Sequence, residues 1–187
     1  MPTHVALLRG INVGGRNKVA MADLRRVVAS LGHTDVATYI QSGNVVFTAA
    51  ETDPDALAAA LERAIANALG VRPRVVVLSR AELAQAVADN PYADEPDPKA
   101  VHAIFLPARP PSDLVDGVAA VQRQAAQKGG RDTAQVVGRT LYLHTPDGYG
   151  RSELAALLSR GRGGTSAAAA GTARNWATVT TLLALCD

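Results

Sequence analysis

The chain has 187 residues, 48% of them hydrophobic and 19% charged, which are ordinary values for a globular protein that buries much of its surface. Its formal net charge of +2 falls far short of the clustered positive charge of a dedicated nucleic-acid-binding protein. No apolar segment approaches the roughly 20 residues that span a bilayer, and the N-terminus lacks the apolar run of a signal peptide. The single cysteine, Cys186, excludes a disulfide within the chain. We therefore expect a cytoplasmic protein with no membrane partner.

The first half of the chain is predicted to contain a strand, a helix, two strands, a helix and a strand. Short apolar runs predict strands at residues 5–8, 36–41, 44–48 and 74–78. Apolar residues spaced three or four apart predict helices at residues 21–31 and 54–69. Ser42-Gly43 is typical of a hairpin turn between the two central strands, and Asp53-Pro54 is typical of a helix start. This order is the split βαβ pattern of ferredoxin-like folds.

A helix and a proline-containing segment are predicted to connect the two halves. Ser79 and Glu82 form a capping-box pattern that opens a helix, which ends at Asn90-Pro91. Residues 92–99 carry Pro96 and Pro98 among acidic residues, which indicates a loop. The predicted organisation is an N-terminal lobe at residues 1–78, a connection at residues 79–99 and a C-terminal lobe at residues 100–187.

The second half repeats the order of the first, without a repeat at the level of individual residues. The predicted elements are a strand at 101–106, a helix capped by Ser112-Asp113, a hairpin of 133–137 with 140–144, a helix capped by Ser152, a weak strand within 165–174 and a closing helix from about Trp176. The sequence thus predicts an α+β fold of two consecutive ferredoxin-like (βαββαβ) lobes with an extra C-terminal helix.

Several motifs taken together resemble one protein family. The segments at residues 8–15, 39–47, 90–91, 148–152 and 172–179 are similar to motifs of the bacterial proteins catalogued as domain of unknown function 1697. The resemblance covers essentially the whole chain and implies a cytoplasmic α/β protein of about this size. It implies no activity, because none is established for the family. Glu153 departs from the family pattern, which has Lys at that position, and this change would weaken an anion site there.

The segment of residues 10–18 is the most informative candidate for a binding site. It follows a predicted strand and precedes a predicted helix, where backbone N–H groups and the helix dipole favour an anion. Gly14 and Gly15 would let the backbone approach a ligand closely, and Arg9, Arg16 and Lys18 could add charge-assisted hydrogen bonds. The spacing is not that of a P-loop. The alternative is a tight turn in which the glycines only supply unusual backbone angles.

Other polar residues at the ends of predicted elements could join this segment. Residues 41–44 either form an ordinary turn or direct the side-chain amides of Gln41 and Asn44 toward one place. Asn175 either caps a helix or contacts a ligand. We predict that Arg174 faces a partner charge and approaches the Gly14-Gly15 turn, because its planar fork suits phosphate or carboxylate. The predicted ligand-binding residues are Arg9, Asn12, Gly14, Gly15, Arg16, Lys18, Gln41, Ser42, Asn44, Arg151, Arg174 and Asn175.

No catalytic or metal-binding signature stands out in the sequence. The four histidines lack the spacing of metal ligands, and Cys186 has no local motif. Asp147 is the carboxylate best placed to act as a general base, and the alternative is a plain turn residue. No metal or cofactor is predicted, and whether the chain is an enzyme stays open.

The function that these residues favour is binding of a phosphate- or carboxylate-bearing small molecule in the cleft between the lobes, with turnover left open. One alternative is a nucleic-acid-binding module that uses an open sheet face. That partner is disfavoured, because the stacking aromatics of RNA-binding sheets are missing. Another alternative is an oligomeric scaffold.

Overall fold

The computed structural model describes residues 1–187 and shows a mixed α/β fold with two four-stranded antiparallel sheets and seven α-helices. The chain divides into two compact units. The first unit comprises Met1–Gln85 together with Thr181–Asp187, and the second comprises Ala86–Thr180. None of the helices combines the length and the apolar character needed to cross a membrane.

The first unit is built on one sheet with two helices between its strands. Its elements are β1 (His4–Arg9), α1 (Met21–Ser30), β2 (Thr34–Tyr39), β3 (Asn44–Thr48), α2 (Pro54–Leu69), β4 (Arg74–Ser79) and the first residues of α3 (Arg80–Ala88). The strands lie in the order β2-β3-β1-β4, and every neighbouring pair is antiparallel. The predicted hairpin of β2 and β3 is therefore confirmed.

The core of the first unit lies between one face of this sheet and the apolar faces of α1 and α2. Its buried residues are Ala6, Leu8, Ile11, Val19, Leu24, Val27, Val28, Val45, Phe47, Leu57, Leu61, Ile65, Val75 and Val77. Alternate residues of each strand enter the core because side chains alternate between the two faces of a sheet. Ile11 and Val19 stand at the two ends of the loop between β1 and α1. Their burial anchors both ends of that loop.

Local capping explains several element boundaries. α2 begins after Asp53, whose side chain accepts a hydrogen bond from a first-turn amide, and Pro54 occupies the first turn. The helix ends at Gly70, which has a φ of 68°. The predicted capping box is confirmed at α3: the Ser79 amide donates to Glu82 Oε2 at 2.8 Å, and the Glu82 amide donates to Ser79 Oγ at 3.1 Å.

The second unit contains the other sheet. Its elements are β5 (Val101–Phe105), α4 (Leu114–Gln127), β6 (Thr133–Val137), β7 (Thr140–His144), a short 3₁₀ turn (Tyr149–Arg151), α5 (Glu153–Arg160), α6 (Ser166–Ala170) and β8 (Thr172–Asn175). The strands lie in the order β6-β7-β5-β8, again with antiparallel neighbours. The last helix, α7 (Trp176–Ala184), begins in this unit and ends in the C-terminal residues of the first.

Two predictions for the second half differ from the structure in detail. The weak last strand predicted within residues 165–174 is present as β8, but only at the end of that range, and Ser166–Ala170 form α6 instead. Four consecutive alanines precede that strand, and alanine has the highest helix propensity of all residues. Asp113 stands before α4 as predicted, but its side chain makes no capping hydrogen bond. Its φ and ψ of −86° and −6° are helical, whereas a capping residue is usually extended.

Candidate functional site

The loop between β1 and α1 folds as a miniature hairpin. Val13 and Arg16 form an isolated antiparallel bridge, in which the Arg16 amide donates to the Val13 carbonyl at 3.0 Å. Gly14 and Gly15 lie between them with φ values of 57° and 73°. A type I′ turn requires two consecutive positive φ angles, which glycine adopts without steric strain. The turn therefore explains both glycines, and their amides make no hydrogen bond within the chain.

Asn12 joins this loop to the turn between β2 and β3. Its Nδ2 donates to the carbonyls of Val19 and Gln41, both at 2.9 Å, and its Oδ1 accepts from the Val19 amide at 2.8 Å. Asn17 closes the same loop, because its Nδ2 donates to the Gly10 carbonyl at 2.8 Å. The amide of Asn12, predicted to contact a ligand, is therefore committed to holding two loops together.

The turn between β2 and β3 is stabilised from inside by Asn44. This side chain is fully buried, and its Nδ2 donates to the Tyr39 carbonyl and to Ser42 Oγ, both at 2.9 Å. Gln41, in contrast, is exposed. The hypothesis that Gln41 and Asn44 aim two amides at one place is therefore not met, because Asn44 is used by the turn itself.

An open pocket of about 620 Å³ lies where these two loops meet the N-terminus of α1. It is lined by Asn12, Gly15, Lys18, Val19, Ala20, Asp23 and Gln41, all of which belong to the first unit. Ala20 precedes α1 and cannot cap it, so the first amides of the helix have no side-chain acceptor there. The partial positive charge of this helix end and the ammonium of Lys18 both favour an anion. Asp23, the acid in the lining, forms an ion pair with Arg26.

Sequence reasoning predicts four of the seven lining residues and misses three, which include the acidic Asp23. Asn12, Gly15, Lys18 and Gln41 line the pocket, whereas Arg9, Gly14, Arg16, Ser42 and Asn44 belong to the first unit but are not among the lining residues. The missed residues are Val19, Ala20 and Asp23. The signal that could have found them is the lack of a capping residue before the amphipathic helix at Met21, since an uncapped helix start leaves backbone donors for a ligand.

The remaining predicted residues lie in the second unit. Asn175 caps α7, because its Oδ1 accepts a hydrogen bond from the Thr178 amide at 2.8 Å. Arg174 lies on β8, where its Nη1 donates to the Ala173 carbonyl at 2.8 Å and burial lowers the pKa of its guanidinium to about 10. Arg151 is exposed in the 3₁₀ turn. Helix capping thus accounts for Asn175 without a ligand.

The carboxylate considered as a general base is occupied by an ion pair. Asp147 accepts two hydrogen bonds from Arg131, at 2.5 and 3.1 Å, and this contact lowers the pKa of Asp147 from its ordinary value. A carboxylate with a lowered pKa is a weaker base. Glu153 is likewise paired, with Lys128 Nζ at 2.5 Å. The structure contains no group of three or more His, Cys, Asp or Glu residues that could hold a metal ion.

His102 is an unusual group that sequence reasoning missed. Its ring stacks on that of Tyr149 with 4.2 Å between the ring centroids. Its Nδ1 is buried and has no hydrogen-bond partner. Burial lowers the pKa of His102 to about 4. A lone histidine within a strand carries no motif, so only the packing of the second unit shows that its ring stays neutral.

We expect the stability of the protein to decrease between pH 6.5 and pH 4 because of His102. In the unfolded chain this ring binds a proton near pH 6.5, whereas in the folded chain it does so only near pH 4. The unfolded state therefore binds more protons in this window, and the stability present above pH 6.5 is lost as the pH falls. The loss attributable to His102 is about 2 kcal/mol, after a reduction for its partial exposure.

Urea unfolding at pH 7 and pH 4.5 measures this effect. Other groups also titrate in this range. The loss of unfolding free energy between the two pH values is therefore compared between the protein and the variant His102→Phe, which keeps an aromatic ring on Tyr149. The variant is expected to lose less stability on acidification. An equal loss in both proteins would show that His102 does not titrate differently on folding.

Comparison with known proteins identifies a family and supports the fold. A search of the curated proteins finds no match to this sequence. Among solved structures, the chain is similar to a conserved bacterial protein, SP0830 from Streptococcus pneumoniae, with 23% sequence identity and a TM-score of 0.70 over 100% of this chain and 99% of that one. The profile of the family described as protein of unknown function (DUF1697) matches residues 1–142. Because this match spans most of the chain, the protein belongs to the DUF1697 family, as the resemblance of its motifs implied.

Proposed function

We propose that this protein binds a small molecule that carries a phosphate or carboxylate group, in the pocket at the N-terminus of α1. The observation that carries the proposal is the pocket itself, of about 620 Å³, which places Lys18 beside a helix end that has no capping side chain. The donors that an anion needs are thus gathered in one place.

The charges around the pocket support an anionic ligand. Lys18 and Arg16 are exposed, and the negative charge of Asp23 is offset by its ion pair with Arg26. A negative charge near a helix N-terminus is stabilised by roughly 0.3–1 kcal/mol when it is exposed. These contributions are modest, so a bare anion should bind weakly, with a dissociation constant on the order of 1 mM.

The proposal is for binding without a catalytic step. Asp23 is the acid in the lining, and its pairing with Arg26 leaves no unpaired carboxylate there to act as a general base. Apart from Lys18, which the proposal assigns to binding the anion, the lining otherwise consists of amide and small or apolar residues.

Titration of the ¹⁵N-labelled protein with inorganic phosphate tests the proposal by NMR. We expect the amide signals of Gly14, Gly15 and Ala22 to shift together, and the variant Lys18→Ala to bind several-fold more weakly. Lys99→Ala, which removes an exposed lysine of the second unit, is the matched control and should leave the affinity unchanged. If phosphate leaves the three amide signals unchanged at high millimolar concentration, the proposal is wrong.

We further propose that each unit is a ferredoxin-like lobe and that the protein is bacterial and cytoplasmic. The sheet orders β2-β3-β1-β4 and β6-β7-β5-β8 support the first statement, because both place the first and third strands of their unit at the centre. The buried, unpaired Cys186 and the resemblance to a bacterial family support the second. An experimental structure with another strand order would contradict the first statement. Fractionation of the cells tests the second, which fails if the protein is not found in the cytoplasmic fraction.

A further inference from the structure

A histidine and a glutamate of the second unit are hydrogen-bonded to each other. His144 is the last residue of β7, and its Nε2 lies 2.6 Å from Oε2 of Glu95. The other carboxylate oxygen, Oε1, accepts a hydrogen bond from the Asp97 amide at 3.0 Å. This backbone hydrogen bond, and after it the one from His144, hold the pKa of Glu95 below its ordinary value. Glu95 is therefore a fixed and negatively charged acceptor.

The bond to Glu95 determines which ring nitrogen of His144 can react. An ionised carboxylate only accepts hydrogen bonds, so in the neutral ring Nε2 carries the proton and Nδ1 carries the lone pair. Nδ1 makes no hydrogen bond within the chain and is not enclosed by it. The side chain is 24% exposed, which leaves this lone pair open to a reactant from solvent.

Two further contacts fix the plane of the ring. Tyr92 stacks on His144 with 5.4 Å between the ring centroids and 27° between the planes. The Tyr92 amide in turn donates a hydrogen bond to Oδ1 of Asn90 at 3.0 Å, and Asn90 is buried. An imidazole that a carboxylate holds in one tautomer and one orientation is the form in which enzymes use histidine for catalysis.

The other three histidines of the chain lack this combination. His4 is 4% exposed, and its Nδ1 lies 2.8 Å from Oγ1 of Thr3. Nε2 of His33 and Nδ1 of His102 are buried without a hydrogen-bond partner. None of the three is hydrogen-bonded to a carboxylate. The features of a reactive histidine are therefore found together at His144.

We propose that His144 is a nucleophile that takes the acyl group of a small activated ester and passes it to water. Nδ1 adds to the carbonyl carbon, the bond from this carbon to the leaving-group oxygen breaks, and that oxygen departs with the electron pair. The acylimidazolium keeps its Nε2 proton, and the negative charge of Glu95 stabilises the cation. Water then adds to the acyl carbon and releases one proton to solvent. The carbon–nitrogen bond breaks with its electron pair returning to Nδ1, and the carboxylic acid leaves.

The charges near His144 favour an ester without a negative charge. Asp94 and Asp97 flank Glu95 in the chain and are both exposed. A negatively charged acyl donor, such as an acyl phosphate, would be repelled by these carboxylates. The proposal is independent of the anion pocket, because every residue that lines that pocket belongs to the first unit, whereas Glu95 and His144 belong to the second.

Hydrolysis of p-nitrophenyl acetate at pH 8 tests the proposal, with release of p-nitrophenolate as the readout. We expect the protein to react about tenfold faster than free imidazole at the same concentration, because its imidazole is held in the reactive tautomer. His144→Gln removes the nucleophile but keeps a donor for Glu95, and it should lose this acceleration. Glu95→Gln keeps a hydrogen-bond acceptor without the charge, and its rate should fall several-fold. His33→Gln is the matched control and should hydrolyse the ester as fast as the protein.

Mass spectrometry of the acid-quenched reaction gives a second readout that a merely structural role would not change. An acetyl group is expected on the peptide that contains His144 in the protein and in His33→Gln, and to be missing from that peptide in His144→Gln. The proposal is overturned if the protein is no faster than imidazole, if His144→Gln retains the rate, or if no acetyl group is found on this peptide. A rate unchanged in Glu95→Gln would overturn the role of the carboxylate.

Discussion

Replacing Gly43 with alanine is expected to lower the free energy of unfolding by about 4 kcal/mol, the sum of a backbone and a packing penalty. Gly43 has a φ of 81°, which alanine disfavours. A Cβ atom there would lie 2.8 Å from Leu8 Cβ and 2.7 Å from Ile11 Cδ1. The Ile11 side chain can rotate, but Leu8 Cβ is fixed to the central strand β1. The turn cannot retreat either, because the Leu8 amide donates to the Gly43 carbonyl at 2.8 Å.

Gly32→Ala provides the matched control for Gly43→Ala. Gly32 also has a positive φ, 85°, but a Cβ atom there would meet nothing within 4 Å. The free energy of unfolding of Gly32→Ala should therefore fall only by the backbone penalty, about 1 kcal/mol. Urea unfolding at pH 7 measures both variants, and the difference between them reports the crowding against Leu8. Similar losses in the two variants would show that the contact with β1 relaxes at little cost.

Replacing Asn12 with alanine is expected to lower the free energy of unfolding by about 3 kcal/mol. The variant loses the hydrogen bonds of Asn12 to Val19 and Gln41, and the Val19 amide loses its acceptor. Each hydrogen bond contributes about 1 kcal/mol net. Alanine also tolerates the φ of 52° at this position less well than asparagine does. Because Asn12 joins the two loops of the pocket, the variant should also bind phosphate more weakly.

Asn17→Ala separates the contribution of the lost hydrogen bonds from that of the backbone conformation. Asn17 lies in the same loop with a φ of 49°, and its side chain makes a single hydrogen bond, to the Gly10 carbonyl. We expect it to lose roughly half as much stability as Asn12→Ala, since the backbone penalty is shared and fewer bonds are lost. Urea unfolding gives both values, and NMR shows whether the Gln41 amide signal moves in Asn12→Ala alone. Equal effects would mean that the link between the loops contributes little.

Gly43 and Asn12 shape the pocket without offering groups to a ligand. Gly43 lets the turn between β2 and β3 lie close against β1, and Asn12 fastens that turn to the neighbouring loop. The pocket is therefore preorganised by the fold. A ligand that enters it does not have to order these loops, and the entropy cost of binding is correspondingly smaller.

Most of the secondary structure and the order of its elements follow from the sequence alone, because these depend on interactions between near neighbours. Ser79 and Glu82 are three positions apart and form the predicted capping box, and Asn175 caps a helix that starts at the next residue. In the second half, the strand predicted within residues 165–174 is confined to the end of that range, because the alanines before it form α6, as their high helix propensity favours.

The roles of the polar loop residues, in contrast, depend on tertiary contacts. Asn12 and Gln41 are 29 positions apart and meet because β1 and β3 pair side by side in the sheet. The same pairing buries Asn44 and uses its amide, although in sequence it is indistinguishable from an exposed turn residue. The packing of His102 against Tyr149 and the ion pair of Asp147 with Arg131 likewise join residues that are well separated in the sequence. Local sequence specifies an element, whereas the environment of a side chain depends on which elements become neighbours.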